Sequence, residues 1–233
     1  MFILAVSGSA IGLGNIWKFP YITGVNGGGA FVIIYLICIF SIGLPIMISE
    51  IMIGRKGRRN PITSMEILGK EETGNGVWKI VGFIGLMAGF LILSFYSVIA
   101  GWTFHYFLLT LQGLFIETSA TEVKTVFNQL TQSIPKQLLY HSFFMILTVS
   151  IISKGVRNGL EKAVYFMMPA LLIIMCVLLY YSITQGNFSE GVSFLFKPDF
   201  SIITASTILV AMGHAFFTLS LGMGCVVMYG AYL

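Results

Sequence analysis

The chain has 233 residues, 57% of them hydrophobic and only 9% charged, with a formal charge of +4 and a mean hydropathy of +0.91. A soluble domain carries about 25% charged residues, so this chain cannot cover a water-facing surface with polar groups, and water is not its main solvent. Nor does the positive charge mark a nucleic-acid surface, because the basic residues are spread through loops between apolar runs.

A helix crosses a bilayer core with about 20 apolar residues. Six stretches have that character, roughly 1–24, 29–53, 78–113, 137–153, 163–184 and 202–233, which predicts an all-α membrane protein. Residues 1–11 are apolar from the start, with no basic lead and no polar stretch after a cleavage point, unlike a signal peptide. The chain reads as opening inside a helix, so a preceding N-terminal segment is expected. The first span contains Gly8-Ser9-Ala10-Ile11-Gly12-Leu13-Gly14-Asn15. Glycine costs a helix about 1 kcal/mol relative to alanine, and close glycines with Ser and Asn invite unwinding. Two readings stay open: Gly8 and Gly12 have the spacing of a tight helix–helix contact, or the helix breaks here around a cavity. A nucleotide-binding glycine loop fits poorly, since no strand precedes it.

In the second span Glu50 stands in the apolar run 46–53. It either snorkels to the nearby interface or accepts hydrogen bonds from backbone freed by a helix break. The third span is long enough to tilt or project, and the fourth is short. The loop after the second span carries Arg55, Lys56, Arg58, Arg59, Lys70 and Lys79, and the loop after the fourth carries Lys154, Arg157 and Lys162. The loops near 25–28, 114–136 and 185–201 hold far fewer basic residues. The basic loops are therefore expected on the cytoplasmic side, with both ends of this chain cytoplasmic. Cys38, Cys176 and Cys225 lie in apolar runs without metal or redox spacing. His105, His141 and His214 are scattered, with no nucleophile–base pair, so an enzyme is not expected. The external loop 114–136 is short and lacks a cysteine pair. The sequon Asn187-Phe188-Ser189 is read as a chance match.

The sixth span contains Thr218-Leu219-Ser220-Leu221-Gly222-Met223-Gly224, a second glycine-rich interruption. Two interrupted helices near mid-membrane are a device of secondary transporters. A break bares carbonyls that coordinate a cation and amides that hold a carboxylate. In the first span the carbonyls of Gly8, Ala10 and Ile11 would face the cation, and the amides of Leu13 and Gly14 the anion.

These segments resemble the sodium:neurotransmitter symporter family, including its bacterial leucine-transporter-like members. The likeness rests on Gly8-Ser9-Ala10-Ile11-Gly12-Leu13-Gly14-Asn15-Ile16-Trp17-Lys18-Phe19-Pro20-Tyr21 and on Asn26-Gly27-Gly28-Gly29-Ala30-Phe31. It continues through Gly43-Leu44-Pro45, Glu50 with Gly54-Arg55, the loop 154–162, Pro198-Asp199-Phe200 and Phe216-Phe217-Thr218-Leu219-Ser220. The resemblance implies sodium-coupled symport in the cell membrane, and a bacterial source, since eukaryotic members tend to carry a longer, glycosylated loop with a disulfide in place of the short 114–136. One sodium would be held by Ala10, the Asn15 side chain and Thr218, and a second partly by the carbonyls of Gly8 and Ile11. A substrate carboxylate would meet the amides of Leu13 and Gly14 and the Tyr96 hydroxyl. Its amino group would meet the carbonyls of Ala10, Phe217 and Thr218 and the Ser220 hydroxyl. Ser9, Ile92, Phe217 and Met223 would line the side-chain pocket.

Gly12 stands where amine-transporting relatives place an aspartate, which implies a free α-amino acid, with a hydrophobic or aromatic side chain fitting the apolar pocket. Lys18, Glu50, His214 and Tyr232 fall at gate and structural positions. Lys18 stands where the gate usually has Arg, His214 where Gln is expected, and Met223 where Phe is frequent. The chloride site that would use Tyr35 stays open. The family has about twelve spans in two inverted repeats of about five, plus two more. By that pattern residues 1–233 form a single, incomplete transmembrane domain: 1–201 the first repeat with its following loop, and 202–233 the first helix of the second. A C-terminal half or a complementary chain is the implied partner, alongside the amino acid and the lipid bilayer, with no nucleic acid. The alternative is a half-length subunit or regulator without transport activity of its own.

Overall fold

The computed structural model describes residue 8, residues 10–116 and residues 118–233, apart from the side chains of residues 156 and 157. Its regular elements are helices. A π turn at Gly14–Lys18 leads into α1 (Phe19–Val25), and α2 (Gly29–Cys38) passes through a second π turn at Ile39–Gly43 into α3 (Leu44–Gly57). Then come α4 (Pro61–Thr73), α5 (Lys79–Leu111), α6 (Ala120–Gln132), α7 (Ile134–Ile152) and α8 (Glu161–Gln185). The last three are α9 (Phe188–Phe196), α10 (Ala205–Thr218) and α11 (Cys225–Gly230). A third π turn, Val156–Leu160, precedes α8. The first two π turns share one cause in the sequence. Pro20 and Pro45 each stand two residues beyond a turn, lack the N–H that would close the α ladder, and loosen the turn before them.

Among the described residues three helical stretches are long and apolar enough to cross a bilayer: Gly29–Gly57, Gly76–Leu111 and Asn158–Gln185. Residues 1–7 of the first expected span lie outside the description. The fourth is the 19-residue α7, and the sixth divides into the 14-residue α10 and the 6-residue α11. The loops between spans carry helices of their own, α4, α6 and α9. Asn60 caps α4 by accepting from the Thr63 N–H at 2.9 Å, with Pro61 in its first turn. A reciprocal Ser119–Glu122 capping box starts α6.

The contacts divide the chain into two compact units, Met1–Ala88 with Glu161–Leu233, and Gly89–Leu160. In the first, Phe31, Tyr35 and Cys38 of α2 pack on Ala211 and Ala215 of α10, flanked by Phe19, Ile22 and Met212. The two alanines, four apart on one face, let the large α2 side chains approach the α10 backbone. Lower down, α3 and α11 meet through glycine. A Cβ at Gly54 would collide with the Val227 carbonyl, and one at Gly230 would stand 2.5 Å from the Ile51 carbonyl. Close packing of this kind holds membrane helices together, since lipid supplies no hydrophobic drive between them. In the second unit the Phe104 and Phe143 rings meet tilted, centroids 4.5 Å apart, Trp102 meets Phe127 edge-on at 5.4 Å, and Leu130 of α6 is buried. The long α8, by contrast, has no buried residue.

Candidate functional site

Ile11 and Gly12 depart from helical geometry between Ala10 and Leu13, which are helical. The Gly12 carbonyl accepts from the amides of Asn15 at 3.0 Å and Ile16 at 3.2 Å. Gly14 is buried against the Phe217 ring, which a Cβ there would strike. The Lys18 ammonium stands 6.0 Å from the centre of the same ring, a distance that suits a cation–π contact.

The second departure lies between Thr218 and Cys225. Its closure is a Schellman motif: Ser220 N–H donates to the Phe217 carbonyl at 3.1 Å and Leu221 N–H to the Phe216 carbonyl at 3.0 Å. The left-handed position is filled by Ser220, with φ 56°, where glycine is usual. Gly222 and Gly224 follow at φ 74° and 75°, so the chain cannot re-enter an α-helix before Cys225. Three elements wall the turn. Gly222 N–H donates to Glu50 Oε1 of α3 at 2.7 Å, which gives the carboxylate in that apolar run a donor from the freed backbone. Gly85 of α5 packs against the Gly222 carbonyl, where a Cβ would come within 2.7 Å. Gly224 packs on Pro61 of α4.

Several polar atoms in this region are buried without a hydrogen bond of good geometry, among them Glu50 Oε2, His214 Nε2, Thr23 Oγ1 and Thr218 Oγ1. The His214 ring stacks on Phe19 at 5.4 Å and 17°, with Tyr35 at 5.6 Å and Phe217 at 6.1 Å. Lys18 and His214 thus both address Phe217, one through its ammonium and one through its ring.

The remaining residues singled out in the sequence fall as follows. Ala10, Asn15 and Met223 are half-buried, Ile11 is exposed, and Gly8 packs on Val164. Ser9 lies outside the described residues. Ile92 and Tyr96 belong to the second compact unit. Tyr232 is exposed in the final turn. The sequence reading did not single out Gly85 or Pro61. The two prolines behind the π turns, Pro20 and Pro45, were the available signal for the helix irregularities nearby.

The model of the sodium:neurotransmitter symporter family matches residues 1–129 and 114–233. The chain belongs to this family. Among its relatives, the uncharacterised sodium-dependent transporter YhdH of Bacillus subtilis is 40% identical over 232 residues, covering 100% of this chain and 51% of its own length. A sodium-dependent transporter of Haemophilus influenzae is 34% identical over 238 residues, covering 100% and 52%. The crystal structure of MhsT in complex with L-phenylalanine superposes with a TM-score of 0.89 at 43% identity, covering 99% of this chain and 52% of MhsT. The sodium-dependent neutral amino acid transporter B(0)AT2 of Bos taurus is 27% identical, covering 99% and 35%. The chain therefore spans about half the length of the bacterial relatives it matches. Those relatives are transporters, not enzymes.

Proposed function

We propose that the chain supplies the N-terminal part of a sodium-coupled symporter for a free α-amino acid, hydrophobic or aromatic in its side chain. Its site lies where the two helix interruptions adjoin. The observation that carries this reading is their apposition: the helix resuming at Leu13 starts with Gly14 against Phe217, the residue before Thr218 and the second turn. The reading treats these interruptions as those of a discontinuous-helix transporter.

Thr218 Oγ1, buried without a well-formed hydrogen bond although Tyr35 lies beside it, suits a hard cation that binds oxygen. With the Ala10 carbonyl and the Asn15 side chain it would hold one sodium. The carbonyls of Gly8 and Ile11 contribute to a second. The amides of Leu13 and Gly14, at the positive start of a helix, receive the carboxylate. The carbonyls of Ala10, Phe217 and Thr218 and the Ser220 hydroxyl receive the ammonium. Phe217 and Met223 contact the side chain. MhsT with its phenylalanine, and the neutral amino acid transporters, support the substrate class. The distribution of basic loops supports an orientation with both ends of the chain in the cytoplasm.

The half-length coverage motivates a second reading, a membrane subunit or regulator with no transport of its own. A chimera separates the two. Residues 1–233 replace the matching part of MhsT, and the purified protein is reconstituted in proteoliposomes under an inward sodium gradient. Sodium-dependent uptake of L-phenylalanine, without uptake of phenethylamine, is expected. Uptake of the amine alone, or no uptake of either by a folded chimera, rejects the proposal.

A further inference from the structure

Away from the helix interruptions, α3 and α4 enclose a cleft of about 610 Å³ at the end of the span Gly29–Gly57. Its floor is apolar, formed by Met52 and Ile53 from the last turns of α3 and by Leu68 of α4. Its rim carries Arg55, Lys56, Arg58 and Glu72. The rim charges do not cancel. Glu72 Oε1 lies 2.6 Å from Lys56 Nζ, so one acid is spent on one base. Among the described residues Arg55 and Arg58 make no ion pair. An apolar trough under two uncompensated guanidinium groups, at the edge of a bilayer span, matches an amphiphile with an anionic head and hydrocarbon tails.

The cleft is also preformed. Arg58 is locked in the left-handed cap of α3 at φ 47°, its N–H donating to the Gly54 carbonyl at 2.8 Å. Ser64, fully buried, ties the turn by donating to the Arg59 carbonyl at 3.0 Å. Gly57 sits directly on the Ser64 side chain. The angle between α3 and α4, and with it the mouth of the cleft, is therefore set by the turn and not by the ligand.

We propose that this cleft is a binding site for an anionic diacyl phospholipid, whose phosphate sits between Arg55 and Arg58 and whose acyl chain runs over Met52, Ile53 and Leu68.

The test is native mass spectrometry of the 233-residue chain in detergent micelles, titrated with dioleoyl phosphatidylglycerol, dioleoyl phosphatidylcholine or soluble glycerol 3-phosphate. Phosphatidylglycerol should bind more tightly than phosphatidylcholine, and glycerol 3-phosphate should not displace it at equal concentration. Arg55→Gln with Arg58→Asn should weaken phosphatidylglycerol binding by about fivefold for each cation removed. Asparagine tolerates the left-handed cap, so the turn survives the change. Glu72→Gln should act in the opposite direction, by up to about fivefold, because it frees Lys56 as a third cation; loss of structure could not produce that gain. Equal binding of the two lipids, an unchanged double variant, weaker binding in Glu72→Gln, or displacement by glycerol 3-phosphate would each overturn the proposal, the last by assigning the cleft to a soluble phosphate.

Discussion

At Gly12 the backbone carbonyl accepts two amides, and the residue brings no charge of its own to the proposed site. A substrate carboxylate is then the anion that completes it. Gly12→Asp would set a second carboxylate beside the first, and like charges so placed cost several kcal/mol. In the chimera with MhsT, sodium-dependent L-phenylalanine binding should fall roughly tenfold or more; binding equal to that of the parent chimera contradicts the assignment. Glu50 acts on the other interruption. Glu50→Ala removes the acceptor of the Gly222 N–H and should destabilise the chain by about 1–2 kcal/mol, with Glu50→Gln losing less because its carbonyl still accepts. Melting curves of the purified chain in detergent measure both. An acid in an apolar run is conspicuous in a sequence, so Glu50 was legible, along with the idea that freed backbone could satisfy it. The donor was not: Gly222 lies 172 residues away, and nothing in the neighbourhood of either residue specifies the pairing.

Among the elements, α3 and α11 depend on two glycines whose missing side chains allow backbone to meet backbone. Gly54→Ala forces a methyl into the Val227 carbonyl, and overpacking of this kind costs roughly 1–3 kcal/mol. The variant should melt lower than wild type, whereas Gly24→Ala, where a Cβ meets nothing within 4 Å, should not. A different control governs α6. Hydrogen bonds from Ser119 to the Glu122 carboxylate, at 2.7 and 2.8 Å, hold that carboxyl below its ordinary range. A depressed folded value means the cap contributes fully above the unfolded carboxyl value of about 4.3 and is lost as pH falls through the lower folded value. The first turn of α6 should fray on acidification below about pH 4, seen as NMR chemical-shift changes at Glu122 and Val123, and Ser119→Ala, which removes the hydroxyl donor but keeps the backbone N–H, should reduce that pH dependence. The helices α4, α6 and α9 went unread in the sequence because the search was for runs of about 20 apolar residues, and amphipathic helices at an interface have none. Their start signals, Asn60-Pro61 and Ser119 with Glu122, were nevertheless present. The glycine-rich segments lie where the chain leaves the helix at residues 11–12 and 219–224, since glycine content reports backbone cost directly. The π turns at Gly14–Lys18 and Ile39–Gly43 were missed because they arise from a proline two residues downstream.

For the molecule as a whole, the exposed apolar surface fits lipid as the solvent. The most apolar window of Asn158–Gln185 is 0% buried, and 28 helical residues extend about 42 Å, more than a core of about 30 Å. The orientation expected from the basic loops is open to a direct check. With the native cysteines replaced, a membrane-impermeant maleimide should label Thr125→Cys only from outside intact cells and Glu66→Cys only after permeabilisation; the reverse pattern would invert the topology. Family and helical character were legible from local motifs. The division into two compact units was not, because it depends on which helices touch. One further property follows from the π turn at Ile39–Gly43. It interrupts α2–α3 at the level where α10 gives way to α11, and Gly43 there rests on the Leu219 side chain. Above that level α2 pairs with α10, and below it α3 pairs with α11. The two neighbouring columns are thus keyed to one another in register: a slip of one along the other by half its length would bring α2 against α11 or α3 against α10 and forfeit both sets of close contacts.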